Sequence, residues 1–232
     1  MQGNSRLVAL LCVVSALFAH PAVAVDPSEA GEAQHSSDDQ HTIAYLRPLA
    51  ESGDAAAQNR LGEMLRDSIG TDQAKAEAFT WFFKASQLGN VPAKVNAGDA
   101  YLNGAGVDAD EASGLYWLGK AADGGFDDGQ FQMGRLYDEG RVVPEDKAEA
   151  MRWYRKAAGQ GHAVAQNNIG WAYENGFGVP VDDQQAAAWY RKAAANGNNQ
   201  AKENLDYMYR TGRAMPVDPA ELKKWLRSRN FR

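Results

Sequence analysis

Trp81, Trp117, Trp153, Trp189 and Trp225 stand 36 residues apart, and only Trp171 falls outside the series. Their surroundings recur with them. Met151 to Ala158 reads Met-Arg-Trp-Tyr-Arg-Lys-Ala-Ala, and Ala187 to Ala194 reads Ala-Ala-Trp-Tyr-Arg-Lys-Ala-Ala. A fixed period of this size marks a solenoid of stacked supersecondary units, each meeting only its neighbours. Such an object is a binding scaffold, and its period does not say what it binds.

Helix signals repeat in the same register. The first helix of each unit carries a small-apolar-small-aromatic pattern, as in Ala165, Ile169, Gly170, Ala172 and Tyr173, at spacings that share one helical face. Gly62, Gly98, Gly134 and Gly170 lie in mid-helix, where glycine costs about 1 kcal/mol relative to alanine. Its recurrence there implies that a neighbouring helix, or that helix's Trp, packs on bare backbone. Gly104, Gly140, Gly176 and Gly212 stop the first helix by taking a left-handed conformation. Pro144, Pro180 and Pro216 keep it from resuming. Asp110, Asp146, Asp182 and Asp218 are N-cap candidates for the second helix, three of them with Glu149, Gln185 or Glu221 at capping-box spacing. The second helix carries the Trp and ends in basic residues that suit the negative end of its dipole.

These signals predict five helix pairs, at 54–90, 91–126, 127–162, 163–198 and 199–232. Residues 41–53 read as a capping half-repeat, a lone helix that Pro48 is expected to kink or shorten. Val25 to Gln40 has no apolar periodicity and is expected to be a flexible leader. Before it, Arg6, the apolar run Leu7 to Ala19 and then Ala22-Val23-Ala24 have the layout of a secretory signal peptide, residues 1–24, cleaved after Ala24. The run is short of the roughly 20 residues that span a bilayer, which argues against an uncleaved anchor.

Cleavage removes Cys12, the only cysteine, so the mature chain has no thiol or disulfide chemistry. It also removes one of the 24 basic residues and no acid, leaving 23 basic residues against 30 acidic ones, a net −7. An acidic chain is a poor candidate for nucleic acid or an anionic membrane surface.

Ala165-Gln-Asn-Asn-Ile-Gly170, Tyr173-Glu-Asn-Gly-Phe-Gly-Val179 and Trp189-Tyr-Arg-Lys-Ala-Ala-Ala-Asn-Gly197 together resemble the Sel1-like repeat, a relative of the tetratricopeptide repeat. The likeness covers about 190 residues of successive units in register. It departs at the ends. Ser68 and Ala74 replace the loop Gly and the capping Asp of the first unit, Leu65 replaces its Tyr, and Asp206 replaces the mid-helix Gly of the last. The resemblance implies an all-α, right-handed α-solenoid that assembles protein complexes, of an exported bacterial type. Bacterial members often act in envelope signalling, polysaccharide export or host contact, and some resemble periplasmic immunity proteins against secreted lipase toxins. A cysteine-rich branch has been linked to β-lactam binding, and the missing cysteines count against that here.

No catalytic constellation emerges. Gly104-Ala-Gly106-Val-Asp-Ala109 fits a dinucleotide fingerprint by letter, but a helix precedes it where that fingerprint needs a strand. Asp108 with Asp110, and Asp182 with Asp183, read as N-caps and solvated charge rather than an acid/base or Ca²⁺ pair. His35 and His41 lie in or beside the leader, and His162 has no second His at metal-ligand spacing. The expectation is therefore no cofactor, no metal and no catalysis.

The expected activity is protein binding in the periplasm or outside the cell by a chain that is monomeric on its own and not inserted in a membrane. Two alternatives are an immunity protein that neutralises one toxin, and a carbohydrate-binding protein or hydrolase. Positions that differ between units are free of the demands of stacking. One such stripe follows the mid-helix glycine: Asn59, Glu63, Arg66, then Val95, Asp99, Leu102, then Phe131, Arg135, Asp138, then Asn167, Trp171, Glu174, then Glu203, Tyr207, Arg210. In the tetratricopeptide fold this stripe lines the concave groove. Phe131, Trp171, Tyr207, Arg135 and Arg210 are residue types that dominate interfaces, and with Asp138, Asn167, Glu174 they form the candidate partner site. The five Trp in register are read as the structural ladder.

Overall fold

The computed structural model describes residues 27–216 and 219–228, with side chains from 38 onward except at 68, 69 and several positions of the last helix, including 225. The expected signal peptide, the Asp218 cap and the Trp225 side chain lie outside the described residues. The chain divides into two units between His41 and Thr42. The second holds the repeats and is an all-α solenoid; among the described residues there is no strand. The first described helix, α1 (Pro27–Glu51), begins in the first unit and ends in the second.

α1 departs from one expectation and narrows another to a kink without shortening. Residues 27–40, expected to be a flexible leader, are helical, and the helix runs past Pro48 to Glu51. The missing apolar periodicity says that this stretch has no face to pack. It does not oppose helix formation, which Glu, Ala and Gln favour intrinsically.

The helix pairs follow. The first is α2 (Ala55–Met64), extended by a π-helical turn (Leu65–Ile69), with α3 (Asp72–Gln87). The next are α4 (Val91–Asn103) with α5 (Glu111–Asp123), α6 (Asp127–Glu139) with α7 (Lys147–Gly159), and α8 (Ala163–Asn175) with α9 (Asp183–Ala195). The last is α10 (Asn199–Arg210) with α11 (Pro219–Ser228). Between α2 and α10, consecutive helices pack on one another.

Local chemistry explains the joints. Asp110, Asp146 and Asp182 accept hydrogen bonds from the backbone N–H of Ser113, Glu149, and both Gln184 and Gln185. Glu149 turns to Arg152 instead of closing the capping box. Each of the same three aspartates donates its own N–H to the carbonyl of Tyr101, Tyr137 or Tyr173, which closes the loop between the paired helices. The first unit solves the joint differently. The π turn carries its first helix two residues further, to a left-handed Gly70, and Thr71 caps α3 through the N–H of Ala74.

The mid-helix glycines face a partner other than the Trp. A Cβ on Gly134 would stand 2.5 Å from the ring of Tyr154, and one on Gly170 2.7 Å from the ring of Tyr190. Phe82 and Leu118 crowd Gly62 and Gly98 in the same way. The contact is thus made by the residue after each Trp, within the pair. The Trp itself points about 100° away and packs towards the preceding unit. Trp153 lies against a core of Val95, Leu118, Met133 and Leu136, and Trp189 against Tyr154, Ala157 and Ile169. Lys84, Lys156 and Lys192 hold their ammonium groups 4.3, 3.6 and 4.1 Å from the ring centres of Trp81, Trp153 and Trp189.

Candidate functional site

The candidate stripe is not uniformly free. Val95 and Leu102 are buried in the core, and Asn59 is buried and bonded to Asn96. Leu102 fills the space over Gly114, so this part of the stripe is interior rather than surface. Glu174 accepts from the Tyr190 hydroxyl at 2.7 Å and pairs with Arg213 at 2.6 Å, so its charge serves the joint between the last two units. Phe131 stacks on His162 at 4.5 Å and packs beside Tyr154. Arg135 pairs with Glu139, and Asn167 accepts from Asn204. Tyr207 is exposed beneath the guanidinium of Arg210, which pairs with Asp206.

Of the candidate partner site Trp171 and Asp138 remain, and the structure brings them together. They line an open cleft of about 160 Å³ with Met151, Tyr154, Asn168 and Phe177. Phe177 follows the left-handed Gly176, and the chain then turns at Gly178. A Cβ on Gly178 would meet the Lys147 carbonyl at 2.5 Å, so the bare backbone of this loop lies directly on the start of α7. The Phe177 ring stacks on the Trp171 indole, with ring centres 4.6 Å apart and planes 9° from parallel. Trp171 is 45% exposed and Phe177 37%.

The polar wall is orderly. Asp138 takes Lys147 on one oxygen at 3.1 Å and the Tyr154 hydroxyl on the other at 3.3 Å. Burial and the neighbouring Asp138 push the Tyr154 hydroxyl well above the ordinary tyrosine range, so it stays a neutral donor. Comparing units had not singled out Tyr154, Asn168 or Phe177. Position 177 could have been found by reading its equivalents, Ala105, Arg141 and Arg213, against it.

A second cleft of about 140 Å³ lies two units earlier, at the matching positions Arg66, Lys75, Phe82, Asn96, Asp99 and Ala105. Burial pushes the Asp99 carboxyl up to about 6, against the pull of Arg135, Arg66 and Arg141. The folded chain therefore holds this proton more tightly than the unfolded chain, where an Asp titrates near about 3.9. The stability it contributes is complete below about pH 4 and is lost as the pH rises through 6. Asp99→Asn should accordingly stabilise the fold by about 1–3 kcal/mol at pH 8 and by almost nothing at pH 4. Denaturant unfolding at the two pH values checks this; the same gain at both would show that the charge is not the cause.

Among the described residues, no three His, Cys, Asp or Glu side chains are grouped to hold a metal ion. Gly104 is a helix stop, and Gly106 has a positive φ with its backbone pressed on Lys75, which gives the fingerprint-like glycines a packing role.

Comparison with known proteins gives the same repeat. A family model described as Sel1 repeat matches residues 55–90, 91–126, 127–162 and 163–198. The chain is similar to a protective antigen of uropathogenic Escherichia coli strains that displays an SLR fold, at 38% identity and a TM-score of 0.67, over 80% of this chain and 40% of that one. It is similar to a Sel1 repeat protein from Oxalobacter formigenes at 38% identity and a TM-score of 0.60, over 72% of this chain and 48% of that one. The chain thus spans less than half the length of either relative. No curated protein matches it.

Proposed function

The chain belongs to the Sel1 repeat family, and on that premise we propose that it is a non-catalytic scaffold of the bacterial cell envelope that holds a protein partner at the Trp171 cleft. Sel1 repeats are generally protein-interaction modules. Export to the periplasm is supported by the layout of Met1 to Ala24. No helix among the described residues is long and apolar enough to cross a membrane.

One observation carries the site: an indole and a phenyl ring stacked on each other and left exposed, at a stripe position that is Asp99, Arg135 and Tyr207 in other units. Aromatic residues are enriched at interfaces, and Trp is among the residue types that dominate hot spots. Affinity capture from a periplasmic extract tests the reading, with the mature chain and its Trp171→Ala variant immobilised side by side. The expected result is a protein retained by the first and lost from the second. Equal retention by both would place the partner elsewhere, and saccharide binding with no protein retained would favour a carbohydrate-binding role.

A further inference from the structure

The loop position after each first-helix stop recurs as Ala105, Arg141, Phe177 and Arg213. Where it is arginine, the side chain folds back and bonds to the preceding unit. The Arg213 guanidinium spans Glu174 and Asp183, with Nη1 2.6 Å from one carboxylate and Nη2 2.6 Å from the other. Arg141 reaches back to the Leu102 carbonyl and the Asn103 side chain. Where the position is Ala105 or Phe177, the cleft stands open.

In the Phe177 cleft, Asp138 occupies the position that Glu174 holds one unit later, and Lys147 that of Asp183. The chain thus shows, one repeat further on, what such a cleft accepts. We infer that the Trp171 cleft takes an arginine side chain from the protein partner, its guanidinium donating to Asp138 and lying on the exposed face of Trp171. This rests on the partner-binding reading above and names the chemistry of the partner. A guanidinium is planar, stacks on an indole and meets a carboxylate with two parallel donors, which an ammonium does not do. The mature chain, with 23 basic residues against 30 acidic ones, carries a net −7 that draws a cationic partner.

Lys147 now shares Asp138, each side chain about 30% exposed, and its ammonium also donates to the Asp138 backbone carbonyl, which can hold it when the carboxylate changes partner. Glu145 already stands 3.4 Å from the Lys147 ammonium and can keep it when Asp138 changes partner.

The test uses the full-length mature chain and three blocked single residues: Nα-acetyl-arginine methylamide, its citrulline counterpart, which has the same shape without the charge, and its lysine counterpart. Amide and indole N–H resonances report the titration, with the Trp171 indole assigned from Trp171→Phe. A ligand of this size binds in roughly the millimolar range. The arginine compound is expected to saturate there and to shift the Trp171 indole and the Asn168 side-chain amide. Citrulline and lysine should bind at least about tenfold more weakly, as loss of the charge or of the planar fork implies. Lys147→Asp, which recreates the two acids around Arg213, should tighten arginine binding several-fold. Phe177→Arg should abolish it, because the chain then supplies its own guanidinium.

Citrulline binding as well as arginine, shifts centred on another indole, or no saturable shift would each overturn the inference. Weakening by Lys147→Asp would do the same. If the probes fail while Trp171→Ala still releases a captured protein, the cleft binds a partner but not through arginine. If Trp171→Ala retains that protein, the choice of site is wrong whatever the probes show.

Discussion

Tyr190→Ala is expected to cost about 3–5 kcal/mol, the range for removing a buried aromatic side chain. Tyr190 has no exposed surface, and its ring occupies the space over Gly170 that any Cβ there would contest. Its hydroxyl donates to Glu174, which is also the partner of Arg213. Truncation therefore opens a cavity inside the fourth pair and removes one of two donors to a largely buried carboxylate. Stability in a solenoid is close to a sum of units and nearest-neighbour interfaces. The fourth and fifth pairs should loosen together while the first two keep their protection. For a chain of this length the melting temperature should fall by roughly 6–20 °C. Thermal unfolding with hydrogen exchange checks both parts. A fall of a degree or less would mean that the tyrosine is not the packing partner of Gly170.

Trp153→Ala should cost somewhat less, about 2–4 kcal/mol, because Trp153 is half-buried and the range of 3–5 belongs to full burial. Its ring joins the third pair to the core of Val95, Leu118, Met133 and Leu136 and carries the Lys156 ammonium on its face. The loss should therefore fall on the contact between the second and third units. Trp153→Phe should be much milder than the alanine change. The indole N–H is buried without a hydrogen-bond partner, so removing it forfeits no bond and relieves an unsatisfied donor. Denaturant midpoints of the two variants check the contrast; equal losses would show that the nitrogen has a bonding role.

The period made the architecture legible because each unit must meet its neighbour in the same way. Asp110, Asp146 and Asp182 were readable as caps for the same reason. The partner of the mid-helix glycines was not, since period alone does not say which of two adjacent aromatic residues turns inward. Trp153 recurs unchanged while the next position varies as Phe82, Leu118, Tyr154 and Tyr190, yet it is the varying residue that turns inward, one residue of helical rotation away. The variable stripe misled in another way. Val95 and Leu102 differ from their counterparts yet are buried, because the second pair fills its interior with Leu102 against Gly114 where the third uses Asp138 and Tyr154. Variation between units marks freedom from a shared contact, and a side chain can use that freedom to repack a core. The Phe177 half of the cleft escaped notice because a loop, not helical spacing, carries it to Trp171. The helical 27–40 segment is not legible because periodicity reports a packed face, and this stretch has none.

The central claim is that Trp171 serves binding while Trp153 and Tyr190 serve the stack. The dissociation constant of the captured partner for Trp171→Ala, measured beside the variant's melting temperature, tests it most directly. The account predicts an affinity at least about 30-fold weaker, the 2 kcal/mol scale of a hot spot, with the melting temperature and helical circular dichroism nearly unchanged. Unchanged affinity, or a melting temperature that falls as far as that of Tyr190→Ala, would contradict it.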